Sequence, residues 1–290
     1  MNKNSKGIRT ITFIACVFVC LIGCAKEITY ESIRAMLDEL PIKADRIQVF
    51  TIVDVRTPEE WHAGSIQDAI NIPYDTVLDA KRNLVNGGEA FTSIVTDPGK
   101  DVVIYGATAE NSRTFARAVA FLGYEKVFYY PGGIADWRDH SDYLVLSYEG
   151  FRKWYDEFCP FDDGEHYLID VNEVEDYTGN STHIPGGGGH IPAATLIDNR
   201  TFVKIDGSNE LKNGATAFTD ALPDKNANIV IYCSGDYCPI SEYAAEVAVF
   251  NLGYTNVYRF EGGWVEWEEQ GNGLAKGLDP GPCAEPENAN

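Results

Sequence analysis

The sequence predicts an α/β protein made of two homologous domains, each a parallel sheet flanked by helices. Three observations predict it. The first is an internal duplication: "YESIRAMLDEL" (30–40) matches "YEGFRKWYDEF" (148–158), "IVDV" (52–55) matches "LIDV" (168–171), "GSIQDA" (64–69) matches "GHIPAA" (189–194), and "LGYEKVFYYPGGIADW" (122–137) matches "LGYTNVYRFEGGWVEW" (252–267). The second is the alternation of short apolar runs such as "VVIY" and "NIVIY" with helical patterns, which reads as repeated strand, loop, helix, strand. The third is a pair of Ala-rich stretches, "SRTFARAVAFLG" and "SEYAAEVAVFNLG", each ending in Gly, a natural helix stop. The ligand site of such a sheet lies at the carboxyl ends of its strands.

Residues 1–23 come first. Lys3, Lys6 and Arg9 form a basic region, and Ile11 to Gly23 is a short apolar run of signal-peptide length. A permanent span needs roughly 20 apolar residues, so this run is short for one. It ends in "LIGC" (21–24), which resembles the bacterial lipobox. That resemblance implies that residues 1–23 are lost, that residues 24–26 are the lipidated N-terminus with Cys24 acylated, and that the protein sits on a membrane surface. An ordinary signal peptide is the alternative. Ala25 stands where the inner-membrane retention signal of enteric lipoproteins has Asp, so the expected address is the cell envelope, facing periplasm or exterior, with the outer membrane favoured if the cell is Gram-negative.

Residues 27–143 form the first domain and residues 144–275 the second. The offset between equivalent segments drifts from 118 to 116, 125 and 130, as expected where surface loops differ in length. A Gly, Pro and Asn-rich stretch, 276–290, is expected to be a flexible tail.

The formal charge is −21, and loss of three basic residues with the leader makes it about −24. Nucleic acid is excluded as a partner, since affinity for phosphate backbones needs clustered Lys and Arg. Most of the 44 acidic residues are expected to be a solvated exterior.

"VDVRTPEEWHAGSIQDAINIP" (53–73) resembles the opening motif of rhodanese domains, and "LGYxxVxxxxGGxxxW" in both copies resembles their closing motif. The two cover nearly all of the mature chain. The resemblance implies two rhodanese-like domains and a sulfurtransferase, in which a cysteine after the central strand takes a sulfane sulfur as a persulfide and passes it to a thiol or cyanide. Cys233 occupies that position in the second copy. The first copy has Gly106 there and is expected to be inert. A cysteine opening a tight loop that leads into a helix is expected to face backbone amides that favour the thiolate, so Ser234, Gly235, Asp236, Tyr237 and Cys238 are expected to cradle it. Without the resemblance, a cysteine at a strand end reads as a small buried hydrophobe.

The loop departs from the family pattern. Cys233 to Gly253 spans 20 positions and Gly106 to Gly123 spans 17, so three extra residues enlarge the second loop or the start of its helix. Phosphatase chemistry, with its Cys-x5-Arg signature, is improbable, because position 239 is Pro and no Arg or Lys occurs between Lys225 and Arg259. The same absence weakens thiosulfate as donor; polysulfide, a persulfide or thiol-bound sulfur suits the loop at least as well. Cys238 has three readings: a packed loop residue, a resolving thiol that closes a disulfide and expels sulfide, or the nucleophile itself.

No cofactor is expected, and zinc is disfavoured because two cysteines lack a second ligand pair. Asp54 and Asp170 are expected to brace loops, His190 to bond backbone, and Trp137, Trp264 and Trp267 to be core. The run 186–189 is expected to be a flexible insertion. Cys159 and Cys283 are either unpaired or joined to each other. A non-enzymatic sulfur carrier or thiol redox module, near a respiratory sulfur-metabolism protein, is the rival to the enzyme.

Overall fold

The computed structural model describes residues 24–159, 161, 163–202, 211–212, 215–236 and 238–284. The expected signal peptide, Tyr237 and the last six residues of the expected tail lie outside them. No helix among the described residues is long and apolar enough to cross a membrane.

Ten strands build two five-stranded sheets. They are β1 (Lys26–Glu27), β2 (Phe50–Asp54), β3 (Ala69–Asn71), β4 (Asp101–Tyr105) and β5 (Lys126–Tyr130), then β6 (Leu144–Leu146), β7 (His166–Asp170), β8 (Thr195–Leu196), β9 (Asn228–Tyr232) and β10 (Asn256–Phe260). Their orders, β1-β5-β4-β2-β3 and β6-β10-β9-β7-β8, are one permutation used twice. Every strand pairing within them is parallel. The duplication in sequence is therefore a duplication of topology, with β4 and β9 central.

Both faces of each sheet are covered, which is why the strands read as continuous apolar runs. From β4, Val102 and Ile104 pack with Phe115 and Val119 of the helix Ala109–Phe121, while Val103 and Tyr105 face Ile33, Leu37 and Trp137. From β9, Ile229 and Ile231 pack with Ala244 and Ala248, while Val230 and Tyr232 face Phe151, Trp264 and Trp267. The helices Tyr30–Glu39 and Tyr148–Phe158 present apolar residues four apart to these inner faces: Ile33 and Leu37, then Phe151 and Tyr155. Thr29 and Ser147 cap their first turns, accepting from the amides of Ser32 and Gly150.

The domains are joined by backbone and by buried charge. Ser65 and Val145 exchange two 2.9 Å amide hydrogen bonds. Arg34 pairs with Glu246, and Arg46 with both Asp68 and Glu242.

Two expectations are corrected here. Residues 276–284 are held: Cys283 forms a disulfide with Cys159 (Cα–Cα 6.0 Å), the Ala193 amide donates to Pro280, and the Ala284 amide donates to the Tyr155 hydroxyl. A Gly and Pro-rich composition reads as loose chain; a cross-link to the end of the helix Tyr148–Phe158 overrides it. Of the glycines 186–189, the last three are likewise closely packed. Cβ atoms at Gly187, Gly188 and Gly189 would stand 2.3, 2.7 and 2.8 Å from backbone oxygens of Gly179, Asp176 and Ala275.

Candidate active site

β4 and β9 end at equivalent points, and each is followed by a loop into a helix. The helix begins three residues after Gly106 but seven after Cys233. All the extra length therefore sits in the loop that carries the two cysteines. Behind each loop stands a Gly-Gly turn whose second glycine has positive φ, and a Cβ there would meet the loop's first carbonyl oxygen, at 2.5 Å for Gly133 on Gly106 and 2.2 Å for Gly263 on Cys233. The frame is shared; the contents differ. A Cβ at Gly106 would lie 2.7 Å from Val55 Cγ2, so the first domain has closed around the missing thiol.

Cys233 is wholly buried at the end of β9. Its thiol lies 3.2 Å from Ser241 Oγ and donates to the Cys238 carbonyl oxygen at 3.4 Å. Burial pushes the Cys233 thiol well above its usual range, Cys238 adds to this, and Ser241 and Arg259 pull weakly the other way. Cys238 is half-buried and lines an opening of about 550 Å³ with Ser234, Gly235, Asp236, Gly262, Val265, Glu266 and Glu269. Its pKa is brought down to about 6, first by the hydrogen bond from Cys233, against the effect of burial, and then by Ser234 and the Ile240 amide. Of the residues expected to surround Cys233, Ser234 acts on Cys238 instead. The longer loop turns Cys238 back toward Cys233, through a 2.9 Å hydrogen bond from the Cys238 amide to the Gly235 carbonyl and a 3.4 Å one from the Cys233 thiol to the Cys238 carbonyl.

Behind the thiols lies a residue that sequence reading passed over. Arg259, on β10, is 1% exposed and donates from Nε to Ser241 Oγ at 3.0 Å, and from Nη1 to Glu261 at 3.1 Å and Glu242 at 3.5 Å. Its signal was available, because the matched closing motifs place Tyr129 in the first copy where the second has Arg259. A second cation comes from the other domain. Lys43 Nζ reaches Glu261 at 2.8 Å and Asp236 at 3.3 Å, across a cleft of about 730 Å³ between the domains. The rim stays acidic, with Asp236, Glu266 and Glu269 around the opening. Burial, then Asp236 and other nearby carboxylates, raise the Glu266 pKa.

The bracing residues behave as expected. Asp54 takes the Arg56 amide at 2.9 Å and its guanidinium, whereas Asp170 takes the amide and side chain of Asn172, each at 2.8 Å. Lacking the arginine, Asp170 is raised by burial to about 7. The buried His190 ring bonds the Tyr177 carbonyl at 2.9 Å, and Trp137, Trp264 and Trp267 are core. Cys24 is exposed just before β1. Among the described residues, no group of three or more His, Cys, Asp or Glu side chains could hold a metal ion.

Known proteins resemble the chain across both domains. The profile of the rhodanese-like domain matches residues 30–140 and again 159–270. A protein of Haloferax volcanii named as a thiosulfate sulfurtransferase is 27% identical over 252 residues, covering 74% of this chain and 83% of that one. A similarly named protein of Mycobacterium leprae is 27% identical over 237 residues, covering 71% and 78%. A sulfur carrier protein of Thermus thermophilus is 32% identical over 113 residues, or 36% of this chain and 39% of that one. Among solved structures, a 3-mercaptopyruvate sulfotransferase of Escherichia coli has 17% identity and a TM-score of 0.31, covering 83% of this chain and 99% of that one.

Proposed function

The chain belongs to the rhodanese-like family of sulfurtransferases, and from that premise we propose that it moves sulfane sulfur from a donor to a thiophilic acceptor through a persulfide on the Cys233 and Cys238 loop of its second domain. Cys238 is the thiol that meets the donor. The observation that carries this is the contrast within the pair: Cys238 lines the opening with a pKa of about 6, while Cys233 is wholly buried and held protonated. Thiolate is the reactive form, and a group that touches the opening is the one a donor reaches.

A second reading keeps Cys233 as the persulfide carrier. It is favoured by that residue's place directly after the central strand, where the family's nucleophile stands.

The donor's charge matters to either reading. Thiosulfate is a dianion, and the nearest cations, Lys43 and Arg259, are already paired with carboxylates. The rim favours a persulfide or another thiol-bound sulfur over thiosulfate, and a thiol acceptor over an anionic one. Transfer to cyanide, measured above the uncatalysed background with a persulfide, polysulfide or thiosulfate, tests this. Saturable turnover lost in Cys238→Ser supports the primary reading. Turnover that survives Cys238→Ser but not Cys233→Ser supports the second, and stoichiometric loading without turnover would make the protein a carrier.

We further propose that Cys24 is lipidated and holds the protein at the outer face of a membrane, beside a partner that supplies or consumes reduced sulfur. The Cys159–Cys283 disulfide fits an oxidising compartment. Incorporation of labelled palmitate that disappears in Cys24→Ala tests the anchor; equal labelling in the variant would contradict it.

A further inference from the structure

We propose that Cys233 and Cys238 act as a self-resolving dithiol, in which a persulfide on Cys238 is attacked by Cys233, closing a disulfide inside the loop and releasing the sulfane sulfur as sulfide. The proposal rests on the reading that this loop accepts sulfane sulfur, and it adds an activity that transfer alone does not include: reduction of the carried sulfur by the protein's own thiols.

Proximity is the first argument. The Cys233 thiol donates to the Cys238 carbonyl oxygen at 3.4 Å, and neither cysteine is in a disulfide. The Cys238 to Gly235 turn holds them together across four intervening residues. A nucleophile held this close competes favourably with dissolved thiols. It is also the only thiol inside the wall of the opening among the described residues, since Cys24 is remote in sequence and Cys159 and Cys283 are joined to each other.

Preparation of the attacking sulfur is the second. Cys233 is buried, so its thiolate needs support when it forms. Ser241 Oγ sits between the Cys233 thiol, at 3.2 Å, and Arg259 Nε, at 3.0 Å. A fixed guanidinium relayed through a hydroxyl favours negative charge on Cys233. The first domain keeps the buried serine, as Ser112, but Gly106 replaces the thiol and Tyr129 replaces the arginine.

The step balances as follows. Cys233 Sγ attacks Cys238 Sγ, forming the Cys233–Cys238 bond, and the bond between Cys238 Sγ and the sulfane sulfur breaks. Its electron pair leaves with the sulfane sulfur, which takes the Cys233 proton and departs as hydrosulfide. The sulfane sulfur gains two electrons, and the two thiols lose them as they become a disulfide. An external dithiol returns the pair to its reduced form by exchange.

The test is anaerobic loading of the full chain with polysulfide, in wild type, Cys233→Ser and Cys233→Ala, followed by alkylation, peptide mass measurement and sulfide assay. The expected wild-type loop peptide is about 2 Da lighter than the dithiol, with about one sulfide per chain in excess of the variants, whose Cys238 peptide instead gains about 32 Da. Wild type that keeps a stable 32 Da addition without excess sulfide overturns the dithiol proposal and leaves the transfer reading intact. Failure of wild type to take up sulfur or form the disulfide overturns both. The wild-type peptide alone decides if the variants do not fold.

Discussion

Arg46 of the first domain and Glu242 of the second meet through two hydrogen bonds, Nη1 to Oε1 at 2.9 Å and Nη2 to Oε2 at 3.1 Å, with both side chains buried. Glu242 also faces Arg259, which bonds Ser241, which bonds Cys233. The first domain therefore reaches the thiols through a continuous line of side chains. Removing one partner of a buried pair leaves a charge without compensation, so Arg46→Met should cost about 3 kcal/mol in urea unfolding. Arg46→Lys should recover only part of it, because an ammonium cannot bond both carboxylate oxygens in the same way. Unchanged stability in Arg46→Met would show that the pair contributes little.

Cys238 should control the pH profile of thiol modification. Alkylation at this residue should rise through pH about 6 and level off above it. The linked effect on stability has a definite sign. A folded pKa lowered below that of the unfolded thiol contributes stability that is fully present above the unfolded pKa and is lost as pH falls through about 6. Cys238→Ser should flatten that part of the stability curve. An alkylation midpoint near the ordinary thiol value of about 8.5 would contradict the assignment.

Restoring a cysteine to the first domain should not restore chemistry. Gly106→Cys pushes a Cβ to 2.7 Å from Val55 Cγ2, and overpacking of this kind costs about 1–3 kcal/mol. Adding Val55→Ala should recover part of the loss. Neither variant should gain sulfur at position 106, since Tyr129 stands where the second domain has Arg259. Sulfur mapped by peptide mass to the thiol introduced at that position would refute this.

Charge at the rim should set donor preference. Glu266 lies at the opening among Asp236 and Glu269. Glu266→Gln should raise kcat/KM for thiosulfate about two- to fivefold at low salt, with the gain shrinking as salt screens the rim. An uncharged donor, such as a neutral organic trisulfide, should respond little. Equal responses by both donors would rule out a charge effect.

Much of this architecture was legible in the sequence because duplication supplied an internal comparison: two copies of one strand pattern pointed to the parallel sheets, and Gly106 against Cys233 showed which copy keeps a thiol at that strand end. Tyr129 against Arg259 carried the same kind of information and went unused. Which thiol faces the opening was not legible. It depends on how the longer loop folds back over Cys233, a matter of packing that spacing does not encode. The held segment 276–284 was hidden for a related reason, since its order comes from a disulfide and a few backbone hydrogen bonds to distant residues.

The central claim is that sulfane sulfur is carried by the second domain's loop, entering at Cys238. The most direct measurement is peptide mapping of the Cys233→Ser full chain after brief exposure to a persulfide donor, with dithiothreitol-treated protein as reference. The account predicts an addition of about 32 Da on Cys238 that dithiothreitol removes. A Cys238 that stays unmodified while the protein still turns over donor would contradict it.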